Sequence, residues 1–108
     1  MKKKFYEISL FDQTWRVELR KGEYNIGGGL AIMMFTDEGE DFATLTVNLG
    51  FGAKERCAFI DTNNCGWALD FLQENGIARD TGITQSSGFC IYPLYKFNKN
   101  VLDEMLTI

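Results

Sequence analysis

The sequence predicts an α+β fold: a mostly antiparallel sheet of about five or six strands packed against one main helix at about 64–75, with a short C-terminal helix. Three observations carry that prediction. Several short runs alternate apolar with polar residues, the two-residue period of a strand with one covered face. The early runs are joined by connections of hairpin length, which suit antiparallel pairing. Only one stretch has a strong helical period, and it comes late. The resulting order, β-β-β-β-β-α-β-α, lacks the regular crossover helices of a parallel sheet.

The opening "KFYEISLF" reads as a first strand, paired to residues 14–20 across a short turn at Asp12 and Gln13. In "TWRVELR", Trp15, Val17 and Leu19 point one way, while Thr14, Arg16, Glu18 and Arg20 form a wet face. "GLAIMMF", residues 29–35, is apolar on both faces, as a strand covered on each side would be. "FATLTVNL", residues 42–49, alternates again, with Ala43, Leu45, Val47 and Leu49 inward and Thr44, Thr46 and Asn48 outward. The polar "TDEGED" between these two makes them an antiparallel hairpin. "RCAFI", residues 56–60, is a further strand.

The helical signal lies in "NNCGWALDFLQENG". Trp67, Ala68, Phe71 and Leu72 share one face and Asp70, Gln73 and Glu74 the other. Asn75 and Gly76 tolerate the left-handed conformation of a helix end. "GFCIYPLYKF" follows as the last strand. Pro93 has no backbone donor, which places that strand at an edge or breaks it there. In "NKNVLDEMLTI", Val101, Leu102, Met105 and Leu106 pack one side of a short helix capped by Asn98 or Asn100.

A chain of 108 residues with this apolar content suits a single globular domain spanning 1–108. The basic start, Met1 to Lys4, is not followed by the apolar run of an export signal, because Glu7 and Asp12 interrupt it. Cys57, Cys65 and Cys90 are odd in number and unpaired in spacing, which fits reduced thiols. A cytoplasmic protein without membrane contact is expected.

Charge is uneven. Residues 37–80 hold three Lys/Arg against nine Asp/Glu, whereas residues 1–36 hold six against four. Nucleic acid is therefore disfavoured as a partner, since counterion release needs clustered cations. The acidic stretch Asp37, Glu38, Glu40 and Asp41 is a candidate binding surface, and solvated carboxylates are the plainer reading.

"DTNNCGW", residues 61–67, resembles a site: Asp61, Asn63 and Cys65 would line a pocket, with the thiol activated at a helix start. The absence of histidine removes Cys–His pairs, Ser–His–Asp triads and every His-bearing metal site. Capping of the helix by the acid and amides explains the stretch without chemistry. "DEGED" lacks calcium-loop spacing, and "NIGGGLAI" lacks both phosphate-loop and dinucleotide patterns, so neither metal nor cofactor is expected. "SSG", residues 86–88, is read as a turn before the last strand. In that strand, Tyr92 and Tyr95 are candidate contact residues, tyrosine being enriched at interfaces.

"GGLAIMMF", "FATLTVNLG", "DTNN", "FLQENGIARDTG" and "SSGFCIYPLYKF" together resemble a family of small bacterial proteins described only as a domain of unknown function. That family is found largely on plasmids, conjugative elements and phages. The likeness covers about residues 28–97, with "ATLTVNL" and "SGFCIYPLY" its most specific parts. It implies a mobile-element context and brings no catalytic residues.

The expected function is a non-enzymatic interaction module of a mobile genetic element. It would bind a host protein or complex, in the manner of an anti-restriction or anti-CRISPR protein. One alternative is a small ligand-binding protein or thiol enzyme with a pocket near Cys65. Another is an RNA- or DNA-binding sheet using Lys2–Lys4, Arg16, Arg20 and Lys21. The sequence leaves the oligomeric state open; a homodimer, if one forms, would use the last strand.

Overall fold

The computed structural model describes residues 4–50 and 54–108; Lys2 and Lys3 of the candidate basic face lie outside them. The elements run β1 (Tyr6–Leu10), β2 (Gln13–Glu23), β3 (Leu30–Thr36), β4 (Asp41–Thr44), β5 (Thr46–Val47), β6 (Cys57–Ile60), α1 (Ala68–Glu74), β7 (Ala78–Ser87), β8 (Cys90–Phe97), α2 (Lys99–Glu104) and β9 (Leu106–Thr107). Strand takes up 52% of the described residues and both helices are small, so the α+β expectation holds with strand dominant.

The strands form two sheets where one was expected. The first has the order β1-β2-β3-β4, with β9 parallel to β2; the second has the order β5-β6-β8-β7. The long β2 takes β1 along Gln13–Val17 and β9 at Arg20 and Lys21. Its hairpin with β1 turns through Phe11 and Asp12, whose φ values of 53° and 65° are what a two-residue type I′ turn demands.

Leu45 explains the second sheet. The run read as one strand over 42–49 leaves β3 after Thr44 and joins β6 from Thr46. Between them, the Leu45 N–H donates to the Ile32 carbonyl at 2.9 Å, and its own carbonyl accepts from Asp61 N–H at 2.8 Å. The step also shifts the side-chain phase. Thr46, expected outward, is buried: its Oγ1 accepts from Ile32 N–H at 3.1 Å and hydrogen-bonds the Tyr24 hydroxyl at 2.8 Å.

The outer face of β2 is drier than its charges suggest. Glu18 is only 3% exposed, being ion-paired to Arg20, whose guanidinium lies 4.4 Å from the centre of the Phe35 ring. The stem and stacked head of the arginine shield its partner.

One apolar cluster takes Val17, Ile32 and Met34 from the first sheet, Ile60, Tyr95 and Phe97 from the second, and Phe71, Leu72 and Leu102 from the helices. An edge-on aromatic row, Trp15–Phe42–Trp67–Phe71–Tyr6, runs between the first sheet and α1 with centroids 5.3–6.4 Å apart.

The helix expected over 64–75 is shorter, Ala68–Glu74, because residues 62–64 and 66–67 form turns and Trp67 opens it without a side-chain cap. Its end follows the sequence reading. Gly76, at φ 64°, donates to Gln73 O, and Ile77 N–H donates to Leu72 O, a Schellman closure that a β-carbon at that φ would strain. In α2, Asn98 is the cap and accepts from Asn100 N–H.

Candidate functional site

Two surface features and one cavity are built by this architecture. The first feature is an arm. The sequence "ARDTGITQSS" is a strand, β7, for which no strand was expected; Ser86 and Ser87, expected in a turn, are its last two residues, and of "SSG" only Gly88 lies in the turn. β8 is thus flanked by β6 and β7 and is no edge. Its pairing with β6 ends at Phe59↔Leu94, one residue short of Pro93. On the other side, Thr84↔Pro93 through Ser87↔Cys90 continue the ladder with β7. Proline accordingly marks the point where a sheet of several strands becomes a two-stranded arm. An irregularity in β7 between Asp80 and Thr84 bends it there, and Thr81 Oγ1 donates to Leu94 O at 2.7 Å. The arm turns at Gly88, with φ 62°, and Phe89.

The apolar side chains on and beside this arm are distributed unequally. Tyr92 and Leu94 pack with Cys57 and Phe59 in a small cluster outside the main core. Tyr95, 1% exposed, points the opposite way into the core. The two tyrosines therefore do diverge, yet both are covered, and neither presents a contact surface. Ile83, Phe89 and Ile91 are the exposed ones.

The second feature is the acidic tip. Asp37, Glu38 and Glu40 sit in the β3–β4 loop and Asp41 begins β4; all four are exposed. The loop is closed by Thr36 N–H to Glu40 O at 2.8 Å and by Glu40 N–H to Thr36 Oγ1 at 3.2 Å. Asp37 N–H donates to Arg16 O at 3.0 Å. The fold thus brings these carboxylates together at one end of the first sheet.

Asp61, Asn63 and Cys65 are neighbours in and beside one turn. Asp61 Oδ2 accepts from the Asn64 side-chain amide at 2.8 Å and Oδ1 from Asn64 N–H at 3.3 Å, while Asp61 O accepts from Cys65 N–H at 2.8 Å, so the acid caps a single turn ahead of the helix. The acid is spent on that turn, seven residues before α1, and Asn63 is exposed. Cys65 is buried and its Sγ donates to Thr44 O at 3.6 Å. Burial first, and then the Asp61 carboxylate, push its thiol above the ordinary range. Such a thiol is poor nucleophile material.

A cavity of about 640 Å³ opens where the end of α1, the start of β7, the end of β8 and the start of α2 meet. Arg56, Arg79, Lys96 and Lys99 line it, with Asp80 as the one acid. Sequence reading missed it because these cations are 17 or more residues apart except for Lys96 and Lys99, and two lie in the most acidic third of the chain. Register counted from the turn would not have found it either: the pairing Ser87↔Cys90 continued without interruption sets Arg79 opposite Asn98, and the irregularity between Asp80 and Thr84 is what brings Lys96 opposite Arg79.

Among the described residues no group of three or more Cys, Asp or Glu could hold a metal ion. No helix among them is long and apolar enough to cross a membrane. No curated protein and no solved structure matches the chain. A family model described as "Domain of unknown function (DUF4313)" matches residues 18–107. That span runs from the middle of β2 to β9, so the chain belongs to this family of unknown function.

Proposed function

We propose that the protein is a non-enzymatic interaction module that grips a partner protein with the β7–β8 arm. The observation that carries this reading is the placement of Ile83, Phe89 and Ile91, three large apolar side chains exposed on or beside one projecting hairpin. Water contact at such residues disfavours the free state, and burying each against a partner contributes about 1.5–3 kcal/mol. The outer edge of β7 also has no strand partner among the described residues, so its backbone groups suit strand addition by the partner.

The buried thiol and the absence of histidine support a binding role over turnover. The family resemblance to mobile-element proteins makes a host defence protein or nuclease complex the partner to test first. The acidic tip, Asp37, Glu38, Glu40 and Asp41, then serves as a secondary contact that speeds association with a basic nucleic-acid channel.

The test is affinity capture from host extract with the wild-type chain, a Phe89→Ser/Ile91→Ser variant and a charge-reversed tip variant. A specific host protein should be retained by the wild type, lost by the arm variant and weakened with rising salt. Equal retention by wild type and arm variant would sink the arm as the surface. A doubled mass in light scattering that reverts in the arm variant would instead identify the partner as a second copy.

A further inference from the structure

The basic cavity stands apart from the arm and from the acidic tip, and three observations give it a ligand. Arg79 and Lys96 are direct register partners across β7 and β8. Like charges directly opposite each other destabilise an antiparallel ladder. Neither side chain has a hydrogen bond or ion pair to another of the described residues. The nearest acid in sequence, Asp80, already accepts from Gly82 N–H at 2.8 Å. Among the described residues the cation pair thus has no ion-pair partner, and an anion between the two would relieve its repulsion.

Arg56 supplies the second observation. It adopts φ 65°, a left-handed conformation that arginine rarely takes. Its carbonyl accepts from Phe97 N–H at 2.7 Å and its Nη1 donates to Phe97 O at 3.4 Å. The strained turn holds the guanidinium at the cavity. The third is the local field. Asp103 lies below the ordinary carboxylate range, first through its hydrogen bond from Lys99 and then through Lys99, Lys21 and Arg56 as charges.

We propose that this cavity binds an oligophosphate, a small ligand carrying two or more linked phosphates. Four cations against Asp80 leave +3 on the lining, and Asp103, ion-paired to Lys99 at 2.7 Å, reduces the local excess to +2, which a single carboxylate does not balance. Arginine forks match phosphate oxygens in pairs, and lysines add point charges. The volume is that of a small-molecule site. A single-stranded nucleic acid is the weaker candidate, because such binders stack bases on exposed aromatic rings. The one aromatic residue lining this cavity, Phe97, is fully buried.

The experiment is titration calorimetry with inorganic tripolyphosphate at low salt, using the wild type and an Arg79→Gln/Lys96→Gln variant. Saturable one-to-one binding is expected, weakened at least about tenfold in the variant, since each charged hydrogen bond contributes that order. The variant without ligand should melt no lower than the wild type, because a repulsion has been removed. ATP in a parallel titration distinguishes sources: tighter binding than tripolyphosphate assigns a nucleotide, and equal binding assigns the phosphate chain alone. The Phe89→Ser/Ile91→Ser variant should bind as the wild type does, which separates this site from the arm. Equal affinity in wild type and Arg79→Gln/Lys96→Gln, no saturable binding at all, or binding of a single-stranded oligonucleotide where tripolyphosphate fails, would each overturn the proposal.

Discussion

The hydroxyl of Tyr95, in the interior of β8, accepts a hydrogen bond of 2.5 Å from the side-chain amide of Gln73 on α1. The ring is buried while the amide is exposed, so this bond joins the wet surface of the helix to the centre of the second sheet. Tyr95→Phe removes the bond but leaves Gln73 free to bind water, and should cost about 1 kcal/mol. Tyr95→Ala empties a fully packed position and should cost roughly 3–5 kcal/mol. Urea denaturation of both variants checks the ratio; equal losses would mean that the hydroxyl carries the whole contribution.

Thr46 offers a sharper separation of size from polarity. Thr46→Val keeps the shape but strips the acceptor from the buried Ile32 N–H, so a loss of about 1–3 kcal/mol is expected. Thr46→Ser keeps the hydroxyl and deletes one methyl, a loss near 1 kcal/mol. Chemical denaturation should rank valine as the more damaging replacement. The reverse order would show that packing outweighs the hydrogen bonds here.

The β1–β2 turn is built from residues ill-suited to it. Phe11 is 92% exposed, gains nothing from packing, and holds a positive φ beside another positive φ at Asp12. Replacing the pair with Asn-Gly should raise stability by about 1 kcal/mol. A thermal melt that moves down would place Phe11 in a contact that the free chain's surface does not reveal.

Alkaline pH should unfold the protein through two buried acids. Burial first and the Glu104 carboxylate second raise the Tyr6 phenol above its ordinary 10.0, and Cys65 is raised above 9.0. The folded state holds both protons more tightly than the unfolded state does. Their contribution is therefore intact below pH 9 and is lost as pH climbs through the raised values. Denaturation midpoints should be level to about pH 8 and fall above 9, with a shallower fall in Tyr6→Phe/Cys65→Ala. An identical slope in that variant would assign the alkaline loss to other groups. Alkylation near neutral pH should mark the half-exposed Cys90 well before Cys57 or Cys65.

Local pattern made much of this fold legible. The hairpins of β1 with β2 and of β3 with β4, the strand status of residues 57–60, the glycine stop at Gly76 and the Asn98 cap all follow from neighbours in sequence. The failures are long-range. Alternation over 42–49 is uninterrupted, yet Leu45 bonds one way to Ile32 and the other way to Asp61, and periodicity carries no sign of that change of partner. β7 is exposed along almost its whole length, so it shows neither an apolar face nor a helical stripe. The acid and amides at 61–64 follow turn chemistry, as their types suggest, but the turn they close lies ahead of the helix. Charge summed by segment hid the basic cavity, because the fold draws Arg56 and Arg79 out of an acidic stretch and sets them beside Lys96 and Lys99.

The crossing at Leu45 has a thermodynamic corollary. With one residue's amide serving the first sheet and its carbonyl the loop that leaves the second, neither layer can melt without withdrawing support from its neighbour. The body of the molecule should lose structure in a single cooperative step. Beyond Pro93, where only two strands remain, opening has no such tether and can proceed on its own.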